Sequence, residues 1–149
     1  MSIKYTTAGL GRVFILRLEN DDRIPDVIET FAQEQQIQSA LVHLLGGAGG
    51  TSKIVVGPLD GAQPKPQPVV TSLPGVSETI GLGTIFLDEK STPKLHLHAS
   101  FGRGDKSLTG CTREGVFIWH IGEVIILELL NSTVGRKINP ATGFELLEV

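Results

Sequence analysis

Two segments decide the fold: Glu78-Thr79-Ile80-Gly81-Leu82-Gly83-Thr84-Ile85-Phe86-Leu87 and Lys94-Leu95-His96-Leu97-His98-Ala99-Ser100-Phe101, joined by Asp88-Glu89-Lys90-Ser91-Thr92-Pro93. Both runs have strand length and the connection is built of turn formers, so together they suit a β-hairpin. Downstream, Gly102-Arg103-Gly104-Asp105-Lys106-Ser107 reads as a second turn. Leu108 onward leads to the long apolar run Val116 to Leu130, interrupted only by His120, Gly122, Glu123 and Glu128. Clustered β-branched residues and charges at strand spacing make that run a long central strand. Phe144 to Val149 suits a last returning strand.

Upstream, Arg12 to Glu19 alternates, with Val13, Ile15 and Arg17 on one face and Phe14, Leu16 and Leu18 on the other; this is a strand. Asp22 stands at an N-cap position and Pro25 in a first turn. Ile24, Val27, Ile28, Phe31 and Ala32 then recur at helical spacing as far as Gln36, the one convincing amphipathic helix. Ser39 to Leu45 is apolar apart from His43 and runs into Gly46-Gly47-Ala48-Gly49-Gly50, read as a buried strand ending in a crowded turn. Ile54 to Val56 is a short strand, and Gly57 to Pro68, with four of the eight prolines, is a loop or edge excursion. The expectation is one α+β domain over residues 1–149, a mostly antiparallel sheet with one helix packed on a face.

The 149 residues suit one core rather than two. Apolar residues are 40% and charged residues 19%, a globular balance, and no apolar run is long enough for a helical bilayer span. Lys and Arg number 13 against 16 Asp and Glu, for a net charge of -3, so no global positive field gathers nucleic acid or an anionic membrane. The single Cys111 cannot form an internal disulfide, and Met1 to Tyr5 lead into no apolar signal core. A reducing cytoplasm is the compartment expected.

His96-Leu97-His98 is the clearest chemical constellation. Residues i and i+2 of a strand point to one face, which sets two imidazoles close enough to share a metal ion. The plainer reading is two exposed or core-satisfied histidines. Cys111 follows the next turn and a short strand leading back past the pair, so its thiolate reaches the same ion if the hairpin register allows; otherwise it is a small buried hydrophobe. His43 and His120 read as hydrogen-bonded core histidines rather than ligands. Glu123 shares strand parity with Phe117, Trp119, Ile121 and Ile125 and is carried inward if that face is the core. A buried carboxylate there serves either as a structural hydrogen-bond partner or as a general base. Gly46 to Gly50 continues into no Gly-Lys-Ser/Thr, so no phosphate-binding loop is present, and Arg103-Gly104-Asp105 is turn composition.

The helix after the first strand, the glycines at 46 to 50, Leu95-His96-Leu97-His98-Ala99-Ser100, the pair Gly110 and Gly115, and the strand holding Glu123 together resemble the plant-and-prokaryote conserved (PPC) domain. The likeness spans Arg12 to Leu130. It implies an α+β fold with a strongly bent antiparallel sheet and a homotrimer. It also implies a metal site on the His-x-His strand completed by a histidine after the next turn. Here Cys111 falls at that third position, and zinc or another divalent transition metal accepts thiolate and imidazole alike. Plant relatives join the domain to AT-hooks, Arg-Gly-Arg-Pro segments that enter the DNA minor groove, and stand-alone relatives inherit a DNA-binding label. In this chain Gly102-Arg103-Gly104-Asp105 puts an aspartate where a basic residue is needed.

Two functions follow as expectations. One is a metal-binding homotrimer with His96, His98 and Cys111 as ligands, a fourth position open to water or a small molecule, and Glu123 as candidate base. The other is a non-enzymatic DNA-binding or regulatory protein in which any metal only braces the hairpin.

Overall fold

The computed structural model describes residues 3–149. In chain order the strands are β1 (Gly9–Glu19), β2 (Arg23–Ile24), β3 (Ser39–Ala48), β4 (Lys53–Pro58), β5 (Pro68–Ser72), β6 (Ser77–Leu87), β7 (Pro93–Arg103), β8 (Lys106–Cys111), β9 (Val116–Leu130), β10 (Gly135–Ile138) and β11 (Glu145–Glu148). One helix, α1 (Asp26–Glu34), follows β2, and a 3-10 turn spans Thr112–Glu114 between β8 and β9. The main sheet runs β1-β9-β3-β6-β7-β8-β4-β5, each neighbour antiparallel. The architecture is α+β as expected, mostly antiparallel sheet with one helix.

Its inner face carries Ala40, Val42 and Leu44 from β3, Leu95, Leu97 and Ala99 from β7, and Val124 and Ile126 from β9, all buried in one core with Ile28 and Ala32 of α1. Removing such side chains from water is the main favourable term in folding, at about 25 cal/mol per Å² of apolar surface. Glu29 ties the helix to the sheet, its carboxylate accepting from the Leu95 amide at 2.9 Å. Phe14 and Leu16 pack inward from β1 while Val13 and Ile15 point out, the division read from their alternation.

The structure corrects several sequence expectations. Asp22 does not cap the helix: β2 pairs with Val116 and Phe117 immediately after it, so the helix starts only beyond Pro25, and the Asp22 carboxylate instead accepts from the Glu19 amide at 2.8 Å. Gly46 and Gly47 lie inside β3, not in a turn. They face a bulge in β9 where His120 and Ile121 have no partners on β3. Gly46 has φ +148°, and a Cβ there would sit 2.4 Å from the Ile121 carbonyl oxygen, so this strand crossing needs glycine. The proline-rich stretch is an edge excursion as expected, its loop closing where β5 returns from Pro68 at the sheet edge to pair with β4. Sequence reading assigned no element at β10, which pairs with β11 and touches the end of β6.

The outer face of the sheet is also apolar. Neighbouring strands place Val13 and Ile15 beside Leu127 and Ile125, then Leu41, His43 and Leu45, then Leu82 and Ile80, then His98 and Ser100. Ile15 is 83% exposed and Ile80 66%. Among the described residues, no helix is long and apolar enough to cross a membrane.

Candidate metal centre

β7 and β8 form the hairpin that builds the site. Leu95, Leu97 and Ala99 turn into the core, so His96 and His98 are forced onto the outer face by strand alternation. In the β7–β8 register His98 lies directly opposite Cys111, which also pairs with Val55 of β4 on its other side. Directly opposed residues send their side chains to the same face, which brings the thiol to the imidazoles. Gly110 makes the approach of β4 feasible, since a Cβ there would lie 2.5 Å from the Val55 carbonyl oxygen. Thr112, fully buried, donates its hydroxyl to the Leu97 carbonyl at 3.2 Å and ties the end of β8 to β7.

One ligand atom from each of His96, His98 and Cys111 lies within 4.8 Å of the others. The two Nε2 atoms are 3.1 Å apart, with the rings edge to face. In that position one nitrogen donates to the other or both turn lone pairs toward a shared cation. Tetrahedral zinc with nitrogens at 2.0–2.1 Å requires an N···N separation of about 3.3 Å, so the histidine pair fits with a shift of tenths of an ångström. The donor set, two imidazoles and a thiol, is of the borderline-soft kind that zinc accepts. Partial burial, then the positive charges of Arg136, His98 and Arg113, hold the His96 imidazole below its ordinary value. That keeps it in the neutral form a metal needs.

Beside the histidines lies a cavity of about 440 Å³, whose lining includes His96, Cys111, Arg113, Arg136, Phe144 and Glu145. Arg136 is 6% exposed; its Nη2 donates to the Thr84 hydroxyl at 3.0 Å, and its Nε has no partner among the described residues. Burial lowers its pKa first of all, partly offset by Glu145 and Cys111. Sequence reading missed this residue. It sits in a short strand after Asn131-Ser132-Thr133, where no periodicity marks an inward side chain.

The other sequence candidates are not brought to this place. His43 is exposed on the outer face rather than in the core, with Leu82 between it and His98. His120 is exposed in the β9 bulge, its ring against Trp119. Glu123 is exposed, between Arg17 of β1 and Leu45 of β3, because its parity belongs to the outer face. Three strand spacings separate β9 from β7, about 14 Å. The buried carboxylate of β9 is Glu128, which takes a fork of contacts from Arg12 at 2.7 and 2.8 Å.

The family model of the Plants and Prokaryotes Conserved (PCC) domain matches residues 5–130. The chain belongs to this family. Solved structures share its fold. A plant- and prokaryote-conserved protein of Pyrococcus horikoshii superposes with TM-score 0.84 at 21% identity, over 99% of this chain and 98% of its own. A metal-containing protein of Archaeoglobus fulgidus gives 0.83 at 23% identity, over 99% and 100%. A Bacteroides thetaiotaomicron protein carrying a provisional DNA-binding label gives 0.74 at 20%, over 96% and 98%. No curated protein matches this chain.

Proposed function

We propose that this PCC-domain chain is a metal-binding protein that works as a homotrimer, with zinc or another divalent transition metal held by His96, His98 and Cys111. The observation that carries the reading is the convergence of three soft or borderline donors within 4.8 Å, from two strands whose register sets Cys111 opposite His98. The metal-containing relative from Archaeoglobus fulgidus has the same fold. Three protein ligands leave one coordination position for water or a small molecule, the pattern of a working rather than a closed structural site. A bound ion there supplies Lewis acidity and acidifies a coordinated water. The chain's own residues orient the ligands and keep His96 neutral. Glu123 is given no part in this site within one protomer, because the β9 register places it three strands away.

The trimer is supported by the exposed apolar residues of the outer face, which run from Ile15 through Ile125 and past His43 to Leu82 and His98, with Leu45 and Ile80 beside them. A monomer rarely leaves such an apolar surface in water. DNA binding is the second reading, favoured by the provisional label on a relative of like fold. The net charge of -3 opposes it.

Elemental analysis of protein purified without a metal-affinity tag tests the reading. One equivalent of zinc or a similar metal per chain is expected, and folded protein without metal that also fails to take up added zinc overturns it.

A further inference from the structure

We infer that the cavity beside the metal centre is an anion site, in which Arg136 and Arg113 receive a small organic carboxylate presented to the open metal position. This rests on the metal-centre reading and adds the class of molecule that completes it.

Arg136 is an arginine buried on β10 with no carboxylate within ion-pair distance among the described residues, its Nε unpartnered and its Nη2 bonded only to a neutral hydroxyl. A guanidinium taken out of water is expensive unless paired. Thr84 does not neutralise it. Arg113, which also lines the cavity, has no ion-pair partner among the described residues and lies 5.8 Å from the centre of the Phe144 ring. Lys94 and Glu29 face each other at 3.8 Å and offset one another, leaving Glu145 as the one acid of the lining without an ion-pair partner among the described residues. A divalent ion balanced by one thiolate adds a further positive charge. The occupied centre is therefore short of negative charge, and a ligand that supplies it binds the metal and both arginines together.

The walls narrow the class. Glu145 opposes a multiply charged phosphate more than a singly charged carboxylate, while Pro25, Leu95 and Phe144 offer apolar contact to a carbon skeleton. The volume of about 440 Å³ suits a small metabolite rather than a polymer. Arg136 also borders a wider cleft of about 590 Å³, lined with Lys137 and Glu148, that includes none of the candidate ligands.

The test titrates the cobalt(II)-loaded protein with propionate, phosphate and propionamide, following the visible cobalt spectrum. Propionate is expected to perturb the spectrum saturably and propionamide to do so far more weakly. Arg136→Gln should weaken propionate binding about tenfold or more while cobalt stoichiometry stays at that of the parent. Because Arg136 is buried, Arg113→Gln on the exposed wall is the second variant, and a loss of several-fold is expected there. Propionamide binding as well as propionate, phosphate binding more tightly, or unchanged propionate affinity in both variants overturns the proposal. Should the protein take up no cobalt, the metal reading fails separately. Propionate is then titrated against the metal-free protein by following the His96 ring resonances, and loss of binding in the same variants still supports the anion site, whereas no binding ends it.

Discussion

His98 and Cys111 stand opposite one another on neighbouring antiparallel strands, and this one pairing turns a His-x-His strand into a three-donor site. Replacing Cys111 by Ser keeps the side-chain size and removes the thiolate. Zinc affinity measured by competition with a chelator is expected to fall by about tenfold or more, with the far-ultraviolet dichroism unchanged. Retention of parental affinity removes Cys111 from the ligand set.

Metal retention should depend on pH through proton competition at the donors. The His96 imidazole is held below its ordinary value by partial burial and by Arg136, His98 and Arg113. Its neutral, metal-binding form therefore persists as pH falls into the ordinary imidazole range, and protonation competes only below it. Arg136→Gln removes a positive charge that repels a divalent ion more strongly than a proton, so the half-release pH of zinc should move downward. An upward move contradicts the role assigned to that charge.

Glu128 on β9 is held below the ordinary glutamate range, first by its hydrogen bond from Arg12. A depressed carboxylate stabilises the fold fully above its unfolded value and loses that stabilisation as pH falls through the lower folded one. Glu128→Gln should accordingly lower the Tm by a few degrees at neutral pH, with the difference shrinking in acid; about 2–4 °C accompanies each kcal/mol in a chain of this size. An equal difference at every pH means the loss is one of packing instead.

The exposed apolar outer face predicts self-association. Leu45 and Ile80 are paired across β3 and β6 at its middle, 55% and 66% exposed. The double variant L45E/I80E should sediment as a single chain while the parent sediments at three times that mass. Both side chains already face water in the protomer, so folding itself is expected to survive. A parent that sediments as one chain overturns the trimer.

Local patterns carried much of this in the sequence. The alternation in Arg12 to Glu19, the helical spacing of Ile24 to Ala32 and the strand at Lys94 to Phe101 each report on neighbours a few residues away, which is the range over which periodicity is set. Helix initiation shifted because β2 captures the backbone after Asp22 through a partner more than ninety residues distant. The face of Glu123 escaped for another reason. Parity tells which residues share a side, and on β9 both sides are apolar, Val124 and Ile126 inward, Ile121 and Ile125 outward; only the helix, packed on one of them, says which is core.

By itself the sequence determined the donor types and their strand, because His96 and His98 must share a face wherever β7 lies. It also determined the single helix and the predominance of antiparallel strands. Tertiary structure alone decided that Cys111 meets His98 and that Arg136 comes to rest unpaired beside them. Both depend on strand register and on where β10 lands. Those are set by packing between segments distant in the chain, a relation that no local pattern of side chains encodes.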